Sequence, residues 1–170
     1  DLGKVYFAGG CFWCMEESFE KKEGVLEVIS GYSGGTTKNP TYEEVTYGNA
    51  GHFETIEIIF DKNKTNYNDL LDHFWKNIDP FDSYGQFCDK GYSYRSVAFY
   101  ENDQQMDLIE KSITKLEKKF KKKIVTYVRK FDKFYVAEDR HQDYYEVKFL
   151  NYLRYKKACG REETLSRIWN

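Results

Sequence analysis

Cysteine is scarce in this chain, four among 170 residues. That is too few for the disulfide framework of a small secreted domain. The spacing does not suit structural zinc either. Such a site needs a second close pair beside Cys11 and Cys14, and Cys88 and Cys159 stand alone in the sequence, so no metal is expected. Long apolar runs are missing as well. The tightest, Ile56–Phe60, has strand length, far from the ~20 residues of a membrane span. No single sign of charge dominates: 26 Lys and Arg stand against 28 Asp and Glu, net −2, so neither a nucleic-acid nor a membrane partner is implied. The basic run at 118–123 reads as the solvated end of a helix. Internal repeats, low-complexity linkers and composition breaks are also lacking. The length suffices for one buried core, and one domain over 1–170 is the expectation. The chain begins at Asp1 rather than Met, which fits processing or excision from a longer polypeptide. The cytoplasm is the expected compartment, with an exported or periplasmic protein as the alternative.

What is present centres on Val5-Tyr-Phe-Ala-Gly-Gly-Cys11-Phe12-Trp13-Cys14. The first half is rich in aromatic and β-branched residues and predicts a strand. Gly9 and Gly10 permit a tight turn and close backbone approach. Met15 and Phe19, with Glu16, Glu17 and Glu20 beside them, predict an amphipathic helix with acidic residues in its first turn. Cys11 then sits at the helix N-terminus, where unpaired N–H groups and the dipole favour a thiolate. A buried structural cysteine is the commoner fate of the residue. The strand–Gly-Gly–Cys–helix context, with a Cys-x-x-Cys spacing, favours redox chemistry instead.

The remaining elements follow in order. Residues 24–35 predict a strand running into a glycine-rich turn, and Thr41 an N-cap with Glu44 at the capping-box position. Gly51–Phe60 is the strongest strand, with His52 and Glu54 on one face and Phe53 and Thr55 on the other. Asn66 caps a helix with the stripe Tyr67, Leu70, Leu71, Phe74, Ile78. Residues 94–100 predict a strand. Met106, Ile109, Ile113, Leu116 and Phe120 mark a long helix whose stripe is core packing. Strands are expected at 124–128 and 131–137, then one tail helix to about Lys157, ended by Cys159-Gly160, and a short capped segment from Arg161 to Trp169. Strands alternating with helices, some as hairpin neighbours, indicate an α/β (α+β) two-layer sandwich with a mixed, mostly antiparallel sheet.

Seven short motifs then appear in order: Gly10-Cys11-Phe12-Trp13, Gly31-Tyr32-Ser33-Gly34-Gly35, Asn39-Pro40-Thr41-Tyr42, Gly51-His52-Phe53-Glu54, Asp79-Pro80, Tyr94-Arg95-Ser96 and Ala137-Glu138-Asp139-Arg140-His141-Gln142. Each alone is weak. Together the chain resembles the A-type peptide methionine sulfoxide reductases. The resemblance implies a ferredoxin-like core and reduction of the S-epimer of methionine sulfoxide, free or in oxidised proteins. It implies no metal or organic cofactor, a thioredoxin-like dithiol as reductant, and a monomer. On the family's site, Cys11 matches the nucleophile and Phe12 and Trp13 the aromatic walls around the sulfoxide methyl. Glu54 matches the acid, and Tyr42, Asp89 and Tyr94 the polar groups around the oxygen. Position 14 is often glycine in the family and is Cys14 here. The glycine-rich, cysteine-bearing tail of many members is reduced to Cys159-Gly160.

The residues themselves support that chemistry. A sulfoxide sulfur is open to thiolate attack, but its oxygen must be protonated to leave. The site therefore needs a soft nucleophile, a carboxylic acid with a raised pKa, neutral donors, and an apolar niche for the S-methyl. Taken singly, Glu54 reads as an edge-strand surface carboxylate, Tyr42 and Tyr94 as packing residues, and Trp13 as core. Recycling needs a second thiol. Cys14 lies one helical turn on and is the first choice, Cys159 near the C-terminus the next, and Cys88 beside Asp89 the last. Two alternatives remain: a thioredoxin-type thiol–disulfide oxidoreductase using Cys11 and Cys14, and a binding module with an idle cysteine.

Overall fold

Gly9 and Gly10 decide where the chain turns. A Cβ at Gly9 would meet Met15 at 2.6 Å, and one at Gly10, whose φ is +85°, would meet Gln86 at 2.5 Å. Only glycine lets strand, helix and a distant loop crowd together here. In the computed structural model, which describes all 170 residues, β1 (Leu2–Gly9) thus runs directly into α1 (Phe12–Glu20). The first turn of α1 holds no acid, because the helix starts at Phe12 and the glutamates fall in later turns. There follow β2 (Val25–Ser33), α2 (Tyr42–Tyr47), β3 (Phe53–Asp61) and α3 (Tyr67–Lys76). A two-rung hairpin, β4 (Gly85–Gln86) with β5 (Asp89–Lys90), precedes β6 (Ser96–Tyr100) and α4 (Asp103–Phe120). The chain ends with β7 (Tyr127–Lys130), β8 (Phe134–Val136), α5 (Tyr144–Val147), α6 (Phe149–Cys159) and α7 (Arg161–Trp169).

The main sheet has the order β7-β6-β1-β3-β2-β8. Its inner four strands, β6-β1-β3-β2, joined through α1 and α3, are the split βαβ arrangement of a ferredoxin-like core. Every pair is antiparallel except β6 with β7, so the mixed, mostly antiparallel sheet is as predicted. Thr41 and Glu44 form the expected capping box, and Asn66 accepts from the Asp69 N–H as cap of α3.

Leu70, Leu71 and Phe74 of α3 interleave with Phe7, Ile56, Ile58, Met15 and Phe19 to make the main core on the helical side of the sheet. Phe7 and Phe74 stack with centroids 4.6 Å apart. A smaller aromatic layer of Tyr6, Phe53, Val97 and Phe99 covers the other face, closed by Phe131 and Phe134.

The last third departs from expectation. The predicted strand at 124–128 begins only at Tyr127, because the Ile124 and Val125 N–H groups donate to Glu117 and to the Pro80 carbonyl instead of a ladder. The one predicted over 131–137 shrinks to Phe134–Val136. The single tail helix is two, α5 and α6, and the short segment expected after Gly160 is a helix of its own, α7. Asp143 is left-handed at φ 54°, Lys148 is non-helical, and Gly160 (φ 67°) turns the chain into α7, the last at the predicted break.

Phe74 is fully buried against Phe7. Phe74→Ala should cost about 3–5 kcal/mol. Urea unfolding should show a lower midpoint at unchanged slope.

Candidate active site

The end of β1, the start of β3 and the N-terminus of α1 meet at one end of the sheet. Cys11 is the N-cap residue of α1, as its position in the sequence suggested. The next N–H, of Phe12, donates to Glu54 Oε1 at 3.1 Å. Glu54 is not an edge residue: β3 has β1 on one side and β2 on the other, and Tyr32 of β2 is its register partner. It is 2% exposed. Burial holds its carboxyl well above the usual carboxylate range, against the opposing Phe12 hydrogen bond, with Asp89 and Cys14 adding to the rise. Glu54 is therefore a neutral acid, a donor rather than a charge.

Cys11 opens on a cavity of about 210 Å³ whose walls are Phe12, Trp13, Tyr42, Glu54, Asp89, Tyr94 and Tyr155. Seven residues predicted from separate stretches of sequence, Cys11 included, thus line one small chamber. The Tyr42 and Tyr94 hydroxyls face each other at 3.5 Å, and burial raises both phenols, keeping them neutral donors. Asp89 reaches the cavity from the β4–β5 hairpin. That hairpin is anchored by Gln86, whose amide is paired with the Asp79 N–H and carbonyl. Burial raises the Asp89 carboxyl, and the hydrogen bond from Tyr155 opposes it. A larger cleft of about 730 Å³ lies between α3 and α4, but it holds no cysteine and no buried acid.

The two free thiols, Cys11 and Cys14, are both buried and pack in one cluster with Tyr145 and Tyr152. Cys14 is brought down to about 7, first by the hydrogen bond from Cys11, with Arg161, Tyr152 and Lys156 assisting. Cys11 is pushed up, first by burial and then by Cys14, so burial outweighs the thiolate preference expected at the helix N-terminus. Cys88 and Cys159, alone in the sequence, are joined by a disulfide that bridges the hairpin and α6, their Cα atoms 4.9 Å apart.

Several side chains that complete the site carry no local signal. Tyr155 of α6 is the eighth wall. Tyr144 stacks on Trp13 with centroids 3.8 Å apart, and His141 Nδ1 accepts from Trp13 Nε1 at 3.2 Å. Glu138 fixes two elements, accepting from the Tyr32 hydroxyl at 2.8 Å and the Tyr42 N–H at 2.9 Å. Arg161 is a buried cation reaching the carbonyls of Asn77 and Gly9. Glu138 and His141 lay inside a motif noticed in the sequence, but no spacing rule assigned them a contact.

A chamber with a buried thiol pair, a neutral acid and aromatic walls defines a thiol-dependent oxidoreductase. Comparison makes the class specific. Residues 3–170 match the family model described as peptide methionine sulfoxide reductase. The chain is 46% identical over 170 residues to peptide methionine sulfoxide reductase MsrA of Listeria monocytogenes, covering 99% of this chain and 96% of that protein. Against the MsrA of Bacillus licheniformis the identity is 47% over 165 residues, covering 96% and 91%. Among solved structures, methionine sulfoxide reductase A of Corynebacterium diphtheriae superposes with a TM-score of 0.77 at 28% identity, over 86% of this chain and 74% of that one. Reduced Mxr1 of Saccharomyces cerevisiae gives 0.80 at 27%, over 86% and 85%. The chain belongs to the peptide methionine sulfoxide reductase family. It is an oxidoreductase acting on methionine sulfoxide. No helix is long and apolar enough to cross a membrane.

Beneath the site, Glu16 is fully buried, accepting from the Ser30 hydroxyl and the Asp143 N–H, each at 2.7 Å, and so tethers the segment that leads into Tyr144. Burial raises its carboxyl from 4.5 to about 8. The folded protein thus keeps a proton that the unfolded chain releases, and stability falls as pH rises between those two values. Glu16→Gln should lack that fall, gaining on the wild type by roughly 3–5 kcal/mol at most over the window. Denaturant titrations across it, read as the difference between the two proteins, check this.

Proposed function

We propose that the Cys11 cavity of this chain, acting as a single catalytic domain over residues 1–170, reduces the S-epimer of methionine sulfoxide, free or in oxidised proteins. The observation that carries this reading is the enclosure of thiol, neutral carboxylic acid, two phenols and an aromatic pair in one chamber of about 210 Å³. The S-methyl lies against Phe12 and Trp13, and the oxygen faces Glu54, Tyr42, Tyr94 and Asp89. The Cys11 thiolate attacks the sulfur while Glu54, protonated because it is buried, donates to the oxygen. The attack joins Cys11 Sγ to the substrate sulfur, which now carries a hydroxyl. The hydroxyl then passes to Sγ as both the S–O bond and that new S–S bond break, so methionine leaves and Cys11 is left as a sulfenic acid. The proton given up by Cys11 restores Glu54.

Cys14 then attacks the sulfenic sulfur, forming a Cys11–Cys14 disulfide and releasing water. Its thiol contact with Cys11 supports this assignment, as does the engagement of Cys88 and Cys159 with each other. A thioredoxin-like dithiol returns the pair to thiols. The chemistry is complete with these side chains, without a metal or organic cofactor, and the protein works as a monomer in the cytoplasm.

Cys11→Ser should form no methionine in a single turnover, whereas Cys14→Ser should complete one. Peptide mapping after one equivalent of sulfoxide, without reductant, should recover a Cys11–Cys14 linkage. Insulin reduction without sulfoxide reduction would favour the thioredoxin-type alternative.

Glu54→Gln should bind substrate and slow the chemical step by about 10²–10⁴-fold. The wild-type step requires protonated Glu54, so it should lose rate as pH rises through the raised Glu54 pKa. The glutamine variant should show no such limb in pre-steady-state profiles. A wild-type rate in that variant would move the acid elsewhere, Asp89 first.

A further inference from the structure

Tyr155 is the cavity wall that no motif announced. It stands on α6, outside the ferredoxin-like core, yet it touches both halves of the site. Its hydroxyl donates to Asp89 Oδ2. Its ring meets Trp13 edge-on, at 81° with centroids 5.8 Å apart. Four residues further along the same helix, on the same face, Cys159 is bonded to Cys88, the chain neighbour of Asp89. The two sulfurs and an Asp89 carboxylate oxygen lie within 4.8 Å of one another. A closed ring results: Asp89 to Cys88 through the backbone, across the disulfide to Cys159, back one helical turn to Tyr155, and through its hydroxyl to Asp89. The other ties of α6 go elsewhere. Tyr152 and Lys156 both reach Glu17 on α1, at 2.8 Å each. On the hairpin side, the hydrogen bond and the covalent bond act side by side.

We propose that Tyr155 is a positioning residue of the sulfoxide site, aiming Asp89 and backing Trp13, and that the Cys88–Cys159 disulfide holds it there. This rests on the sulfoxide-site assignment above and adds a dependence on a second, more exposed cysteine pair. A dithiol that reduces Cys88–Cys159, adding two electrons and two protons and itself becoming a disulfide, releases the tether. The wall then loosens. Capture of substrate suffers more than the chemical step, because the Tyr155 hydrogen bond goes to Asp89 and not to Cys11 or Glu54.

The test is single-turnover reduction of a peptide bearing methionine sulfoxide, without added reductant, followed across substrate concentration. Four proteins are compared: wild type, Tyr155→Phe, the double variant Cys88→Ser/Cys159→Ser, and the combination of all three substitutions. Tyr155→Phe keeps the ring and loses the hydroxyl. It should raise the half-saturating concentration about 3–10-fold, the scale of one hydrogen bond, with the maximal rate within about twofold of wild type. The double serine variant should do the same, and the triple should be no worse than Tyr155→Phe alone, since both remove one device. The Asp89 carboxyl, followed by NMR, should titrate higher in Tyr155→Phe, because the donation that opposes its rise is gone. Unchanged half-saturation and an unmoved Asp89 titration in Tyr155→Phe would overturn the positioning role. Effects that multiply in the triple variant would overturn the tether. If the double serine variant fails to fold, wild type with Cys88 and Cys159 selectively reduced and alkylated takes its place. A wild type that reduces no sulfoxide would overturn the site assignment itself, a separate outcome.

Discussion

The hydrogen bond from the Phe12 N–H to Glu54 is the joint on which the site depends. It ties the first free donor of α1 to a carboxyl on a central strand. A helix N-terminus offers unpaired N–H groups and would ordinarily hold a charged carboxylate. Here burial wins, and the acid is kept neutral while its oxygen still accepts one bond. The same joint sets Cys11 beside Glu54 and places Phe12 and Trp13 in the cavity wall.

Around that joint, support is layered. The Gly9-Gly10 turn admits Gln86, and Gln86 holds the hairpin that brings Asp89 to Cys11. Glu138 binds Tyr32 and Tyr42 together, so the sheet and α2 move as one with the donor phenol. Glu16 pins the segment carrying Tyr144 against Trp13. Each tie is a buried or half-buried polar contact that would be costly to leave unmade. The site is therefore rigid on the core side. On the α6 side it is closed by side chains from the tail.

Charge follows the same division. Lys156 and Arg161 come from α6 and α7, and both lower Cys14, whereas Cys11 faces burial and the acids Glu54 and Asp89. The tail thus takes part in deciding which sulfur carries the anion at rest. Its helices are more than a cover.

Much of this was legible in the chain. The succession of strands and helices, the caps at Thr41 and Asn66, the turn at Gly9-Gly10 and the break at Gly160 follow from local rules of periodicity, capping and φ, which depend only on neighbours in sequence. The ferredoxin-like core was implied by the family resemblance. The motifs carried Cys11, Phe12, Trp13, Tyr42, Glu54 and Tyr94, since each sits in a stretch whose residue types are diagnostic as a set; Asp89, outside those motifs, came from the match to the family's site. Tertiary structure alone decided the rest. Glu54 became a neutral acid because β3 is central, and strand order is set by long-range pairing. Glu16 looked like a solvated helix residue until Ser30 and Asp143 buried it. Cys88 joined Cys159 across 71 residues, and Tyr155 met Asp89 across 66, because packing α6 over the hairpin brings them together. No local spacing encodes such a meeting; it exists only once the two elements share a surface.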